Sequence, residues 1–270
     1  MQNIDNGGVY RSNEVPMARN SSEGVQATVN SFRILKQLVE AEGSLGVTEI
    51  ADAVSLSKGV VYTHLKTLID LGYVRKREQR YLASFGVLKL ADDVRQSIPK
   101  FSKVRHNVEN LARVTDEVST LFVEEDGLGV CVYTAMGSEP WLPDYACGSR
   151  TPLHVNAPGK AILSSFDRDR VDTIVEEHGL TRLTDGTLTV PQALRSELST
   201  IRESGVSFCR GEQFSDVVGV ATTVSLGERA PAAAIGVCGP SERLSGRYLE
   251  EDITGQVIST AKSIQIDLAK

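Results

Sequence analysis

The stretch from Thr48 to Leu82 constrains this chain most, because it sets two helix-like runs, a tight turn and a hairpin pattern side by side and gives them a basic outer surface. Thr48-Glu49 opens a short helix through Ala51 and Val54. Ser55-Leu56-Ser57 then turns into a second helix with Val61, Leu65 and Leu68 facing inward. Leu71-Gly72-Tyr73-Val74 ends that helix at a glycine and enters a strand, Glu78-Gln79 turns, and Arg80-Tyr81-Leu82 runs back. This order describes a winged helix-turn-helix, with the helix-turn-helix at about 47–69 and the wing at about 73–83.

Charge sharpens the reading. Within Ser57 to Leu82, Lys58, Lys66, Arg75, Lys76, Arg77 and Arg80 face only Asp70 and Glu78, although the whole chain carries a net charge of −6. A basic stripe on an acidic chain is the footprint of a face that binds a polyanion; the alternative is a solvated helix face. Lys58, Gly59, Val60, Tyr62, Thr63 and Lys66 point outward from the second helix. Lysines there suit phosphates or guanine acceptors, Tyr62 a phosphate, Val60 or Thr63 a thymine methyl, and Gly59 a close backbone approach. On the wing, Arg75, Lys76, Arg77 and Arg80 suit phosphate or minor-groove contact.

The rest of the chain reads as an α+β protein. Residues 1–21 lack sustained periodicity and are expected to form a mobile arm. Val29, Phe32, Leu35, Leu38 and Val39 recur at helical steps and predict the buried face of a first helix, so that the winged domain spans 22–83. Phe85, Leu88, Ala91, Val94, Arg95 and Ile98 predict a linker helix over 84–99, stopped by Pro99. Beyond it, a domain over 100–270 opens with a helix carrying Val104, Val108, Leu111 and Val114. Strands are expected at 118–124, 130–135, 206–210, 217–226 and 232–238, helices at 158–166, 168–178 and 191–204, and a closing helix with Ile253, Val257, Ala261, Ile264 and Leu268 on one face.

Several chemistries are disfavoured. With 41% hydrophobic residues the chain has material for a core, and no apolar stretch approaches the ~20 residues of a membrane span, so a cytoplasmic protein without membrane contact is expected. Cys131, Cys147, Cys209 and Cys238 form no C-x-x-C pair and are expected to be reduced thiols; redox sensing is a minor alternative. His64, His106, His154 and His178 show no zinc spacing, and no G-x-S-x-G elbow occurs. Gly159-Lys160 lacks both the upstream glycine spacing and the Ser/Thr of a phosphate loop. Neither metal nor cofactor is expected, and the catalytic list is empty. Pro158 at a helix start should leave the N–H groups of Gly159 and Lys160 free for an anion, the alternative being an ordinary capped helix.

These residues resemble the IclR (isocitrate lyase regulator) family of transcriptional regulators over nearly all of 23–270. The N-terminal match runs through Val29-Asn30-Ser31-Phe32-Arg33-Ile34-Leu35, Thr48-Glu49-Ile50-Ala51, Ser57-Lys58-Gly59-Val60-Val61-Tyr62 and Leu71-Gly72-Tyr73-Val74. More diagnostic are Pro152-Leu153-His154-Val155-Asn156-Ala157-Pro158-Gly159-Lys160-Ala161-Ile162-Leu163, similar to the family's PLH-x-x-A-x-GKA-x-L segment, and Ile235-Gly236-Val237-Cys238-Gly239-Pro240, similar to I-S-V-S-G-P. The resemblance implies a winged helix, a linker helix and a GAF-like effector domain. It also implies a homodimer or dimer of dimers on pseudo-palindromic double-stranded DNA, and an effector site that includes Asn156, Ala157, Gly159, Lys160, Arg210, Val220, Ala221, Thr222, Gly236 and Cys238. Gly236 and Cys238 stand where relatives often carry serines, so the expected effector is an organic or aromatic acid larger or less polar than glyoxylate or pyruvate.

Three functional classes remain. A ligand-responsive DNA-binding regulator accounts for both halves of the chain, an enzyme only for the C-terminal part, and a ligand-independent DNA binder only for the N-terminal part.

Overall fold

A computed structural model describes residues 24–138, 147–227 and 230–269, and the expected arm at 1–21 lies outside them. The described chain divides into two units between Ser97 and Ile98. In the first, α1 (Gln26–Glu40), α2 (Val47–Val54) and α3 (Lys58–Asp70) enclose a core of Ile34, Leu38, Ile50, Val54, Val61, Leu65 and Leu68, closed by Val74 and Tyr81 of the hairpin. The turn between α2 and α3 is set by Ser55, which takes the left-handed conformation at φ 55°, and by Ser57, whose Oγ accepts from the Val60 N–H at 3.3 Å. The wing strands β2 (Val74–Arg77) and β3 (Arg80–Ala83) are joined by β1 (Leu45–Gly46), giving the antiparallel order β1-β3-β2. A two-residue strand carries no periodicity, so β1 had no sequence signal.

The buried face of α1 differs from the expected one. Asn30, Ile34 and Leu38 are buried, whereas Val29, Phe32 and Val39 are 45%, 68% and 59% exposed. This helix carries apolar residues on more than one side, and the four-residue row through Ile34 and Leu38 meets α2 and α3. Asn30 is tolerated inside because its Oδ1 accepts from Gln26 Nε2 at 3.0 Å. Following β3, α4 (Gly86–Arg95) ends four residues before Pro99 and buries none of its own side chains; Phe85, Leu88, Leu90 and Val94 are exposed.

The second unit is built on a six-stranded antiparallel sheet of order β6-β5-β4-β9-β8-β7, formed by β4 (Val118–Glu125), β5 (Leu128–Ala135), β6 (Arg150–Pro152), β7 (Ser207–Arg210), β8 (Val217–Val224) and β9 (Ala233–Pro240). One face packs against α5 (Phe101–Thr115) and α9 (Thr254–Ala269) through Val108, Leu111, Val220, Ile235, Val237, Val257 and Ile264. On α5, Ala112 and Thr115 are buried in place of the expected Val114, which is exposed. The other face packs against α6 (Ala157–Ser164), α7 (Arg168–His178) and α8 (Pro191–Ser204) through Phe122, Leu153, Ile162, Leu194, Leu198, Ala221 and Ala234. A sheet covered on both sides explains why β4 and β9 are buried at successive rather than alternate positions.

A Cβ added at Gly159 would lie 2.2 Å from the Leu153 carbonyl oxygen, with backbone on both sides of the contact. Gly159→Ala should therefore destabilise the C-terminal unit by about 1–3 kcal/mol. The check is a lower urea midpoint for the full-length protein, with a DNA-binding unit that still folds.

Candidate nucleic-acid interface and ligand crevice

The three inward residues of α3, Val61, Leu65 and Leu68, fix which way the rest of the helix points. At 100° per residue the opposite arc carries Gly59, Thr63 and Lys66, flanked by Val60 and Tyr62, which are 41% and 54% exposed. Lys58 is exposed in the first turn of the same helix. Thr63 donates its hydroxyl back to the Gly59 carbonyl at 3.1 Å, so its methyl group is the part left to meet a base edge. The expected recognition face is thus assembled on one exposed helix.

On the wing the four cations part company. Arg77 is exposed at the end of β2, next to Glu78 at φ 55° in the turn. Arg75 lies over the Phe85 ring at 5.6 Å and Lys76 over the Tyr81 ring at 5.7 Å, which orients both without neutralising them. Arg80, also expected on the DNA-facing wing, is tied within the protein as well. Its guanidinium is 3.0 Å from Glu49, and Nε and Nη2 donate to the Ser44 carbonyl at 3.1 and 2.5 Å. Glu49 also accepts from the Gly46 N–H at 2.6 Å. That bond, with Arg80, holds its carboxyl below the usual range. Through Nε and Nη2, Arg80 is a strut between the hairpin and the start of α2.

In the second unit a narrow crevice opens between the start of α6 and the sheet, with an interior of about 10 Å³, room for about one water molecule and far below ligand-site sizes. Asn156, Ala157 and Pro158 line one side; Thr120, Cys209, Val217, Gly219, Gly236 and Cys238 line the other. The expected residues divide. Asn156, Ala157, Gly236 and Cys238 are at the crevice, with Ala221 packed beside Gly236 on the same face of the sheet. Val220 and Thr222 are not: strand side chains alternate, Val220 packs into the α5/α9 core, and Thr222 donates to the Gly205 carbonyl at 2.7 Å. Arg210 is also absent, being exposed beyond Cys209, 3.2 Å from Glu250 and over the Phe208 ring at 4.7 Å. The expected anion seat at the helix start is occupied by the protein itself. Asn156 Oδ1 accepts from the Gly159 N–H at 2.8 Å and its carbonyl from the Lys160 N–H at 3.0 Å. Thr120, Pro158, Cys209, Val217, Val218, Gly219 and Val237 line the crevice outside the expected set. Once β8 and β9 are paired, the same-face rule finds Val217 and Gly219 from Ala221.

The model for the "Bacterial transcriptional regulator IclR C-terminal" domain matches residues 94–266, and that for the "IclR helix-turn-helix domain" matches residues 27–78. The chain belongs to the IclR family. It is 28% identical over 231 residues to the HTH-type transcriptional regulator KdgR of Escherichia coli, covering 85% of this chain and 88% of that protein. The crystal structure of Thermotoga maritima IclR superposes with a TM-score of 0.80 at 22% identity, covering 91% and 99% of the two chains. An IclR homologue from Microbacterium hydrocarbonoxydans, complexed with 4-hydroxybenzoate, superposes with a TM-score of 0.72 at 18% identity, covering 90% and 99%. This protein is a DNA-binding transcriptional regulator of that family, and no helix among its described residues is long and apolar enough to cross a membrane.

The lysine of the IclR-family GKA segment, Lys160, is completely buried. Its Nζ donates to Glu212 at 2.8 Å and to Glu197 at 2.9 Å, so two of its three hydrogens tie α6 to α8 and to the loop after β7. Burial holds the Glu212 carboxyl above the usual range against the opposing pull of Lys160, and its Oε2 has no hydrogen-bond partner. His154, packed nearby, is held below its ordinary value by burial while its Nε2 meets the Thr181 carbonyl at 3.1 Å. Lys160→Met leaves Glu212 buried without its main counter-charge, and breaking such a pair costs about 3–5 kcal/mol at neutral pH. Because the loss raises the Glu212 pKa further in the folded state only, the deficit should shrink as pH falls through that titration and be largest on the alkaline side. Urea unfolding of wild type and variant across pH measures it.

Proposed function

We propose that this protein is a ligand-responsive regulator that binds a pseudo-palindromic operator as a homodimer or a pair of dimers, with DNA affinity set by a small organic or aromatic acid held in the α6–sheet crevice. The observation that carries the DNA half is the outward arc of α3, where Gly59, Val60, Tyr62, Thr63 and Lys66 stand exposed together beside Lys58. One such helix reads only a few base pairs, so useful affinity calls for a second copy. Exposed Phe85, Leu88 and Val94 on and before α4 supply apolar surface for that pairing. Arg75, Lys76 and Arg77 act on phosphates or in the minor groove.

The effector half rests on the lining of the crevice, which must widen to admit an acid. Pro158, Val217, Gly219 and Gly236 give it flat apolar walls, and Thr120 and Cys238 bring a hydroxyl and a thiol to the same space. Such a lining favours an acid with an apolar or aromatic body, and the 4-hydroxybenzoate complex of the Microbacterium hydrocarbonoxydans homologue is one ligand of that class. The ligand alters DNA affinity only through unequal affinity for two arrangements of the protein, for which about 1–3 kcal/mol is typical.

The test titrates the full-length protein against its own upstream DNA with and without a panel of aliphatic and aromatic acids. Specific binding changed by one acid supports the proposal; turnover of the acid favours an enzyme, and sequence-blind binding a ligand-independent DNA binder. Thr120→Val, which keeps shape and removes the hydroxyl, should weaken a hydroxylated or carboxylated effector by about 1 kcal/mol in calorimetry. Gly236 is unsuited to this purpose, since an added Cβ would lie 2.9 Å from Ala221 Cβ.

Two wing substitutions separate display from support. Arg77→Ala should weaken operator and random DNA alike and lower the slope of log affinity against log salt by about one. Arg80→Ala should leave that slope unchanged and instead lower the thermal midpoint of the DNA-binding unit. Fluorescence anisotropy over a salt series, with a melting curve for each variant, reads both outcomes.

A further inference from the structure

Two of the four cysteines meet. Beyond the β5–β6 pair Val130↔Arg150 the ladder continues, with the Cys131 N–H donating to the Ser149 carbonyl at 3.1 Å and the Gly148 N–H donating to the Cys131 carbonyl at 2.7 Å. Gly148 and Ser149 thus oppose one residue, a glycine bulge with Gly148 at φ 91°. The bulge leaves Cys147 adjacent in the chain to Gly148, whose N–H bonds the Cys131 carbonyl, and so brings the two cysteines side by side. The side chains complete the arrangement, since the two thiols are hydrogen-bonded to each other and Thr134 Oγ1 lies 3.2 Å from Cys131 Sγ.

The pair is asymmetric. Cys147 is exposed and Cys131 buried, and neither is in a disulfide. The bond to Cys147, followed by burial, holds the Cys131 thiol well above its usual value, so Cys131 keeps its proton while Cys147 faces solvent. Cys209 and Cys238 lack this access: both are buried in the sheet core, and burial pushes the Cys209 thiol up to about 11.

We propose that Cys131 and Cys147 form a reversible redox site that closes to an intramolecular disulfide when the protein meets hydrogen peroxide or an organic hydroperoxide. The Cys147 thiolate attacks one peroxide oxygen, the O–O bond breaks, and the departing oxygen leaves as water or alcohol once protonated, giving a sulfenic acid at Cys147. Cys131 sulfur then attacks Cys147 sulfur; the S–O bond breaks, the Cys131 proton leaves with the hydroxide as water, and the S–S bond forms. Two thiols are oxidised by two electrons and one peroxide is reduced. The bond fixes β5 to the segment leading into β6, on the sheet face that carries Phe122 and Leu153. Neither cysteine lines the proposed effector crevice.

The experiment treats full-length wild type, Cys147→Ser and Cys131→Ser with a small molar excess of hydrogen peroxide, titrates free thiols after denaturation, and maps cysteine peptides by mass spectrometry without reductant. In wild type the count should fall from four thiols to two, a peptide joining Cys131 to Cys147 should appear, and dithiothreitol should restore all four. Cys147→Ser alters an exposed position, so it should fold and keep its three thiols. Cys131→Ser should accumulate a Cys147 sulfenic acid that dimedone captures. The proposal is overturned if wild type keeps four thiols under conditions that oxidise glutathione in the same tube. It also fails if Cys147→Ser still loses two thiols, or if the linked peptide joins other cysteines or two chains.

Discussion

The approach of α6 to the sheet is the constraint on which the C-terminal unit turns. Gly159 passes so near the Leu153 carbonyl that a Cβ would overlap it, and a Cβ on Gly236 would stand only 3.3 Å from Pro158 Cγ. Two missing side chains thus set how deep the helix sits, and the crevice is what that closeness leaves. The polar bonds then hold the helix in place. Asn156 caps it, and its Nδ2 reaches Thr151 and Gln213 at 3.1 and 2.9 Å, while Lys160 ties it to Glu197 and Glu212. Buried polar networks of this kind rigidify a site because each member, once desolvated, depends on the others.

A parallel economy governs the N-terminal unit, where charge is either spent or displayed. Arg80 and Glu49 consume each other between wing and helix, and Arg33 Nη2 donates to the Val54 carbonyl at 2.7 Å to tie α1 to the end of α2. What the solvent sees is Lys58, Lys66 and Arg77, with Arg75 and Lys76 steadied by aromatic rings. Counting cations in the sequence overstates the positive surface by the ones that brace the fold. Arg80 and Arg77 are three residues apart on one hairpin and fall on opposite sides of that division.

Much of this was legible in the sequence. Three inward residues at 61, 65 and 68 fixed the outward face of α3 without a structure, since a helix surface follows from its buried side. The Gly159-Lys160 segment was read correctly as a helix start and incorrectly as a free one. The missing information was rotational: Asn156 is a strong capping type, yet only its side-chain geometry shows that it takes the Gly159 N–H before any ligand could. On α1 the ambiguity was of another kind, because Phe32 and Ile34 are equally apolar and the choice between them belongs to α2 and α3.

The β8 assignment shows where sequence reasoning stops. In the observed register Ala221 stands opposite Gly236 and Gly219 opposite Cys238, and directly opposed residues of an antiparallel pair share a face. With Gly236 and Cys238 turned to α6, the matching β8 positions are therefore 219 and 221, and placing Val220 and Thr222 beside them violates the pleat. A strand covered on one side would have revealed this through alternation. On β8, Val220 and Ala221 are both fully buried, one toward α9 and the other toward α6, so the period-two signal is erased where the site lies. Only the pairing partner restores it, and that partner comes from the fold rather than from the strand.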